Sequence, residues 1–257
     1  MNILVCVKAV PDMESHFTLQ SDSLHIEDSN LVYKMNSFDE CAVEEALKMK
    51  EKNGGEVVIV SLGDDKTVQV MRKAFAMGAD RGVFLNNASF KDTDALTVAG
   101  LLHKAVSDFK PDLILTGIQA EDDIQAQVGP ALAELFGVPH ASVVVSVVLS
   151  EDAKKIKVKR ELEGGTLEVV EMSLPCLLTI QTGINIPRYP SLPGIMKAKK
   201  KEIKEIKLSE SDLGSSKVER VTLLEPQPEG KVEILQGDAK SVATQLISKL
   251  KERKVFN

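Results

Sequence analysis

The sequence predicts an α/β protein with a doubly wound, mainly parallel sheet, added antiparallel strands and a C-terminal arm. Three observations predict it. Short apolar runs typical of strands buried on both faces recur up to Pro139. Between them lie longer stretches whose apolar residues fall at helical spacing. After Pro139 the texture changes to polar–apolar alternation around Gly164-Gly165. Alternating β and α segments imply right-handed crossovers. In such sheets ligands sit at the strands' carboxyl ends, near the switch in strand order.

In chain order, Ile3 to Val10 (ILVCVKAV) reads as a buried central strand that Pro11 breaks. Phe17 to Val32 alternates loosely and reads as a hairpin-like excursion outside the main sheet. Ser37 reads as the N-cap of a helix, with Glu40 completing a capping box; Ala42, Ala46, Leu47 and Met49 form its apolar side, and Gly54-Gly55 ends it. Glu56 to Gly63 is the second strand. The helix DKTVQVMRKAFAM follows, closed by Gly78, and Arg81 to Leu85 is the third strand. Asp92 or Thr93 caps a helix running to about Phe109, with Leu96, Val98, Leu101, Leu102 and Val106 inside.

Leu113 to Thr116 is the next buried strand, ended by Gly117. Ile124, Val128, Ala131, Leu132, Leu135 and Phe136 then give helical spacing, stopped by Gly137 and Pro139. Glu121, Asp122 and Asp123 read as capping residues of the first turn. A strand, a loop and a helix start expose backbone N–H groups from about Gln125 to Gly129, which suits a phosphate. One more structural βα unit is an equal reading, because the chain has no Walker lysine and no Gly-x-Gly-x-x-Gly here.

Val143 to Leu149 reads as a strand, then a hairpin with Ile156 and Val158 on one arm and Leu167, Val169 and Val170 on the other, then the buried strand PCLLTI. From Gln181 to Gly214 the sequence is charged with no clear core face. Pro226 to Gly237 reads as a linker, and Asp238 to Lys254 as a last amphipathic helix with Val242, Leu246, Ile247 and Leu250 on its apolar side. Such a helix docks back or reaches for a partner chain.

The 257 residues suit one large α/β domain, or one with an added arm. With 43% hydrophobic and 27% charged residues, a soluble globular chain is expected. The N-terminal apolar run reads as a strand and not a signal peptide. Cys6, Cys41 and Cys176 are scattered without metal spacing or CxxC, which points to buried inert thiols in a reducing compartment such as a bacterial cytoplasm. A net charge of −6 and absent Trp argue against nucleic-acid binding. His16, His25, His103 and His140 lie apart from any nucleophile, so no catalytic set is expected.

The basic run Lys197, Lys199, Lys200 and Lys201 stands out on an acidic chain. It is either a solvated face or a surface that steers an acidic partner. Leu192 lies between Pro190 and Pro193 in a stiffened loop. A stiff apolar tip loses little entropy on docking; folding onto its own core is the rival reading.

Six segments in order, ILVCVKAVPD, MNSFDECAVEEALKMKEK, AFAMGADRG, LTGIQAEDD, RELEGG and above all PRYPSLPGIMKAKKK, identify a resemblance over nearly the whole length. The chain resembles the β (small) subunit of electron transfer flavoprotein. The resemblance implies a heterodimer with an α subunit that holds most of the FAD, and a Rossmann-like β subunit (residues 1–225) carrying AMP and no catalytic role. Residues 226–257 would then be a linker and helix packing on the α subunit.

Carried over by position, the AMP site is Cys6, Ala9, Asn36, Ser37, Phe38, Asp39, Leu62, Gly63, Gly117, Gln119, Ala120, Asp122, Asp123, Ile124, Gln125, Ala126, Gln127 and Val128. Phe38 and Met13 would lie near the flavin ring. The segment 182–201 matches a recognition loop, with Leu192 the anchor and Lys197, Lys199 and Lys200 beside it, docking flavin dehydrogenases of the acyl-CoA type. The carrier would pass electrons on to a quinone reductase or similar acceptor. AQVGP at 126–130 resembles electron-bifurcating, NADH-dependent members with a second FAD in place of AMP; Asp123 and Gln125 depart from those members, which carry Gly and Thr there. AMP is therefore the expectation. A stand-alone nucleotide sensor is a further alternative.

Overall fold

The computed structural model describes residues 1–86, 93–209, 216–226 and 232–255. Two compact units emerge, Met1–Thr222 and Leu223–Asn257. In the first, the strands are β1 (Asn2–Cys6), β2 (Ala9–Pro11), β3 (Tyr33–Met35), β4 (Glu56–Gly63), β5 (Arg81–Asn86), β6 (Leu113–Gly117), β7 (His140–Leu149), β8 (Lys155–Glu161), β9 (Leu167–Ser173), β10 (Cys176–Ile180) and β11 (Ile203–Lys207). The helices are α1 (Ser37–Asn53), α2 (Asp65–Met77), α3 (Ala95–Ala105), α4 (Val128–Phe136) and α5 (Leu192–Ala198). The second unit holds α6 (Ala239–Glu252), whose N-cap Asp238 accepts the Ser241 N–H.

The main sheet runs in the order β11-β5-β4-β1-β6-β10-β7-β8-β9, parallel from β11 to β7. β8 and β9 join antiparallel, with Ile156 opposite Met172 and Val158 opposite Val170. Side chains alternate along each strand. Ile3 and Val5 therefore join the α1–α2 layer with Leu47, Met71 and Phe75, while Leu4 joins the α3–α4 layer with Val58, Leu102 and Leu132. The chain fills one side of β1 with β4 and β5, then crosses to β6 on the other side. The switch in strand order lies between β1 and β6, and their carboxyl ends open there.

The doubly wound sheet, the added hairpin and the C-terminal helix match the expected fold class. Several local expectations do not hold. The first strand leaves the main sheet at Cys6, and Ala9 to Pro11 pairs with Tyr33 to Met35 in a separate two-stranded sheet. The excursion from Phe17 to Val32 does stay outside the main sheet as expected, closing through an antiparallel bridge between Leu19 and Ile26. The N-cap of α1 is Asn36, not Ser37. Asp94 caps α3 by accepting the Thr97 N–H, in place of Thr93, and Asp92 lies outside the described residues. Leu96 points outward at 59% exposure. Leu167 and Val169 are exposed, so Val170 and Met172 carry the buried face of that arm. The segment after Gln181 contains α5 and β11, neither of which was expected.

Candidate functional site

The carboxyl ends of β1, β4 and β6 gather most of the residues expected at a ligand site. Cys6 ends β1, and burial, then nearby Asp39, push its thiol far above its ordinary range. Leu62 and Gly63 end β4, while Ala9 lies on β2 opposite Met35. Gly117 ends β6 and opens the loop to α4. Ser37, Phe38 and Asp39 form the first turn of α1 beneath that loop, and Phe38 is partly exposed. Met13 is exposed, two residues beyond the end of β2.

Two buried side chains hold these pieces together. Asn36 is 1% exposed, and both its amide atoms are committed: Nδ2 donates to Gln119 O at 2.8 Å and Oδ1 accepts the Glu121 N–H at 3.2 Å. That is why Asn36 makes no side-chain cap to its own helix. Asp39 is 6% exposed; Oδ2 accepts the Lys8 N–H at 2.8 Å and Oδ1 the Gly117 N–H at 2.9 Å. Burial pushes the Asp39 carboxyl up to about 7, against the pull of those donors. Both residues therefore spend their polar atoms on the loop backbone.

The acidic run does not cap a helix. Helix α4 begins at Val128, with Gln127 as a cap position that contributes no side-chain hydrogen bond. Ile124 lies four residues before it, 64% exposed and in the left-handed region at φ 54°; Ala126 is also at φ 54°. Such backbone is costly for residues with a Cβ and gathers at ligand-handling sites. Asp122 and Asp123 turn away to Lys8, whose Nζ stands 2.7 Å from Asp122 Oδ1 and 2.9 Å from Asp123 Oδ2. Glu121 lies 3.4 Å from Lys34 Nζ.

The Gln125 N–H is taken by Asp123 Oδ1, and Ala131 is bonded back to Gln127 O. The N–H groups of Gln127, Val128 and Gly129 between them are those a helix start leaves open. Gly129 lets this turn sit close to the sheet: a Cβ there would stand 2.6 Å from Thr179 Cγ2 and 2.9 Å from Thr116 Oγ1. An uncapped helix start at a switch point, its nearby acids neutralised by a lysine, fits a phosphate-bearing ligand. Lys8 was missed from the sequence. Its signal was a lone cation in an apolar run, which needs a partner.

Leu192, Lys197, Lys199 and Lys200 lie elsewhere. Leu192 opens α5, where Ser191 Oγ caps by accepting the Gly194 N–H at 3.1 Å. The helix sits tightly on α2, for a Cβ on Gly194 would stand 2.5 Å from Ala76 O. Arg72 donates to Ala198 O and Lys201 O, and Lys201 Nζ reaches Phe75 O and Ala79 O. Lys201 is thus a brace, while Lys197, Lys199 and Lys200 are exposed. Leu192 is 80% and Tyr189 97% exposed, so Leu192 does not fold onto its own core.

Upstream, Arg188 grips α1 through Glu44 at 2.8 Å and 3.1 Å and through Glu51, and Asn185 Nδ2 donates to Cys41 O and Glu45. Ala76 lies near the end of α2, where the chain turns back to start β5. The Leu192 segment therefore stands at the amino end of the sheet, at least a strand's length from the β1–β6 opening.

Comparison with known proteins fits this arrangement. The electron transfer flavoprotein domain model matches residues 23–211. The electron transfer flavoprotein subunit beta of Methylophilus methylotrophus is 34% identical, covering 99% of both chains. The mitochondrial subunit beta of Arabidopsis thaliana is 39% identical over 98% of each, and that of Mus musculus 37% identical over 98% of this chain and 97% of its own. With this fold and full-length similarity, the chain belongs to the electron transfer flavoprotein β-subunit family.

Proposed function

We propose that this chain is the β subunit of a heterodimeric electron carrier. Its α subunit holds most of the FAD, and the β subunit holds AMP at the β1–β6 opening. The dimer accepts electrons from flavin dehydrogenases of the acyl-CoA type at the Leu192 segment and passes them to a quinone reductase or similar acceptor. Residues 226–257 pack on the α subunit in this reading. When bound, FAD supplies the redox chemistry, and the protein positions it.

The observation that carries this reading is how the site's polar side chains are spent. Asn36, Asp39, Lys8, Asp122 and Asp123 bind one another and the loop backbone. What they offer a ligand is the backbone N–H groups of Gln127, Val128 and Gly129, which suit holding a phosphate and not breaking a substrate bond. The exposed Leu192 on a braced helix supports docking in the same way.

The test is to co-express the chain with its α subunit, denature the purified dimer and count the nucleotides released. One FAD and one AMP per dimer is the expected result. Two FAD and no AMP would convert the reading to a bifurcating, NADH-dependent complex, as AQVGP at 126–130 suggests. A stable, colourless monomer indifferent to the α subunit would leave only a nucleotide sensor.

A further inference from the structure

Lys8 makes three kinds of contact at the opening. Its N–H donates to Asp39 Oδ2 at 2.8 Å, its carbonyl accepts the Asn36 N–H at 3.1 Å, and its ammonium meets Asp122 and Asp123 at 2.7 and 2.9 Å. The backbone of Lys8 is thus fixed by the start of α1, and its side chain reaches across the sheet opening to the loop after β6. Between Asp122 and the start of α4 the loop is exposed, and its described hydrogen bonds there are local: Ile124 N–H to Ala120 O and Gln125 N–H to Asp123 Oδ1. The Lys8 ion pairs are the long-range tie on this stretch among the described residues.

Electrostatics gives that tie a second consequence. Two carboxylates four to six residues before an open helix start would repel an anion approaching Gln127, Val128 and Gly129. One ammonium held against both cancels much of that field, and it also fixes where the carboxylates point. We propose that Lys8 is a positioning residue that sets nucleotide affinity by neutralising Asp122 and Asp123 and keeping their carboxylates turned from the helix start, without itself touching the nucleotide. This rests on the nucleotide reading above.

The experiment measures AMP affinity of the co-expressed αβ dimer by calorimetry, after stripping bound nucleotide, with thermal melting of the stripped dimer alongside. Lys8→Met is expected to weaken AMP binding of order tenfold or more, with weakening reduced by added salt. Neutralising the acids in that background, as Lys8→Met with Asp122→Asn and Asp123→Asn, is expected to return affinity to within about threefold of the parent. A lysine that touches phosphate, or one that merely supports the fold, predicts no such return, and failure of the triple variant to recover overturns the proposal. Unchanged affinity in Lys8→Met overturns it as well.

Should Lys8→Met not accumulate, Asp122→Asn with Asp123→Asn alone decides. An Asn at 123 still accepts the Gln125 N–H, so this dimer is expected to bind AMP no more weakly than the parent, and weaker binding overturns the proposal. A parent dimer that binds no AMP at all fails the nucleotide reading instead, so the two failures are distinguishable.

Discussion

Gly117 and Asp39 touch across the switch point. The Gly117 N–H donates to Asp39 Oδ1 at 2.9 Å, and a Cβ at 117 would press on that same oxygen and stand 2.6 Å from Phe38 Cβ. The end of β6 and the first turn of α1 approach so closely that the position excludes any side chain.

Gly117→Ala should therefore force the start of α1 away from β6. Overpacking of this kind costs about 1–3 kcal/mol. Chemical denaturation of the dimer should show that loss, together with reduced nucleotide content; a variant as stable as the parent would mean that the contact yields without cost.

Asp39 predicts a pH dependence. Its folded carboxyl is pushed up to about 7 by burial, above the ordinary unfolded value of about 3.9. The folded state then binds the proton more tightly than the unfolded chain. The resulting stability is fully present below about pH 4 and is lost as pH rises through about 7. The expected slope is up to about 1.4 kcal/mol per pH unit inside that window. Denaturation midpoints of parent and Asp39→Asn, followed from pH 5 to 8, should diverge in slope, the variant being flatter.

Leu192→Ala should leave folding and FAD content unchanged, because the α5 cap is made by Ser191 and an exposed side chain that makes no cap itself seldom shifts stability by more than about 0.5 kcal/mol. Electron transfer from the dehydrogenase should weaken by about 2 kcal/mol, roughly thirtyfold in kcat/KM, as for a hot-spot anchor. Steady-state reduction of the dimer by its dehydrogenase is the measurement. Lost FAD with unchanged transfer would assign Leu192 to structure.

Arg188→Ala should be more damaging to the fold than Leu192→Ala. The Glu44 side chain is only 4% exposed, and losing the guanidinium would strand its charge, at a cost of about 3 kcal/mol. Arg188→Lys should recover only part of this, since an ammonium cannot reproduce the fork that meets both Glu44 and Glu51. Guanidinium titration of the three proteins checks the order.

The central strands were legible because burial on both faces writes itself as apolar runs, as in Leu113 to Leu115. β11 was not: IKEIK is an edge strand paired on one side only, and its Lys and Glu residues carry no core pattern. Ile124 misled in the other direction. Its spacing to Val128 imitates a helix, yet distant Lys8 holds the loop in another path, and contacts so far apart in sequence leave no local trace. The Ser37–Glu40 pattern was a valid capping box by composition. It lost to Asn36, whose side chain is drawn to Gln119 and Glu121 instead. The switch in strand order between β1 and β6 followed from the alternation of strands and helices, whereas the residue that ties the loop there left no such pattern.

Helix α1 meets the end of β6 through Asp39 and the segment before α5 through Cys41, Glu44, Glu45 and Glu51. Its register is consequently locked at both places. Inserting or deleting one residue between Asp39 and Cys41 would rotate one set against the other by about 100° and shift it by about 1.5 Å. No compensating slide can then satisfy both sets, so single-residue length changes are forbidden in this stretch, while substitutions on the remaining outward face stay permitted.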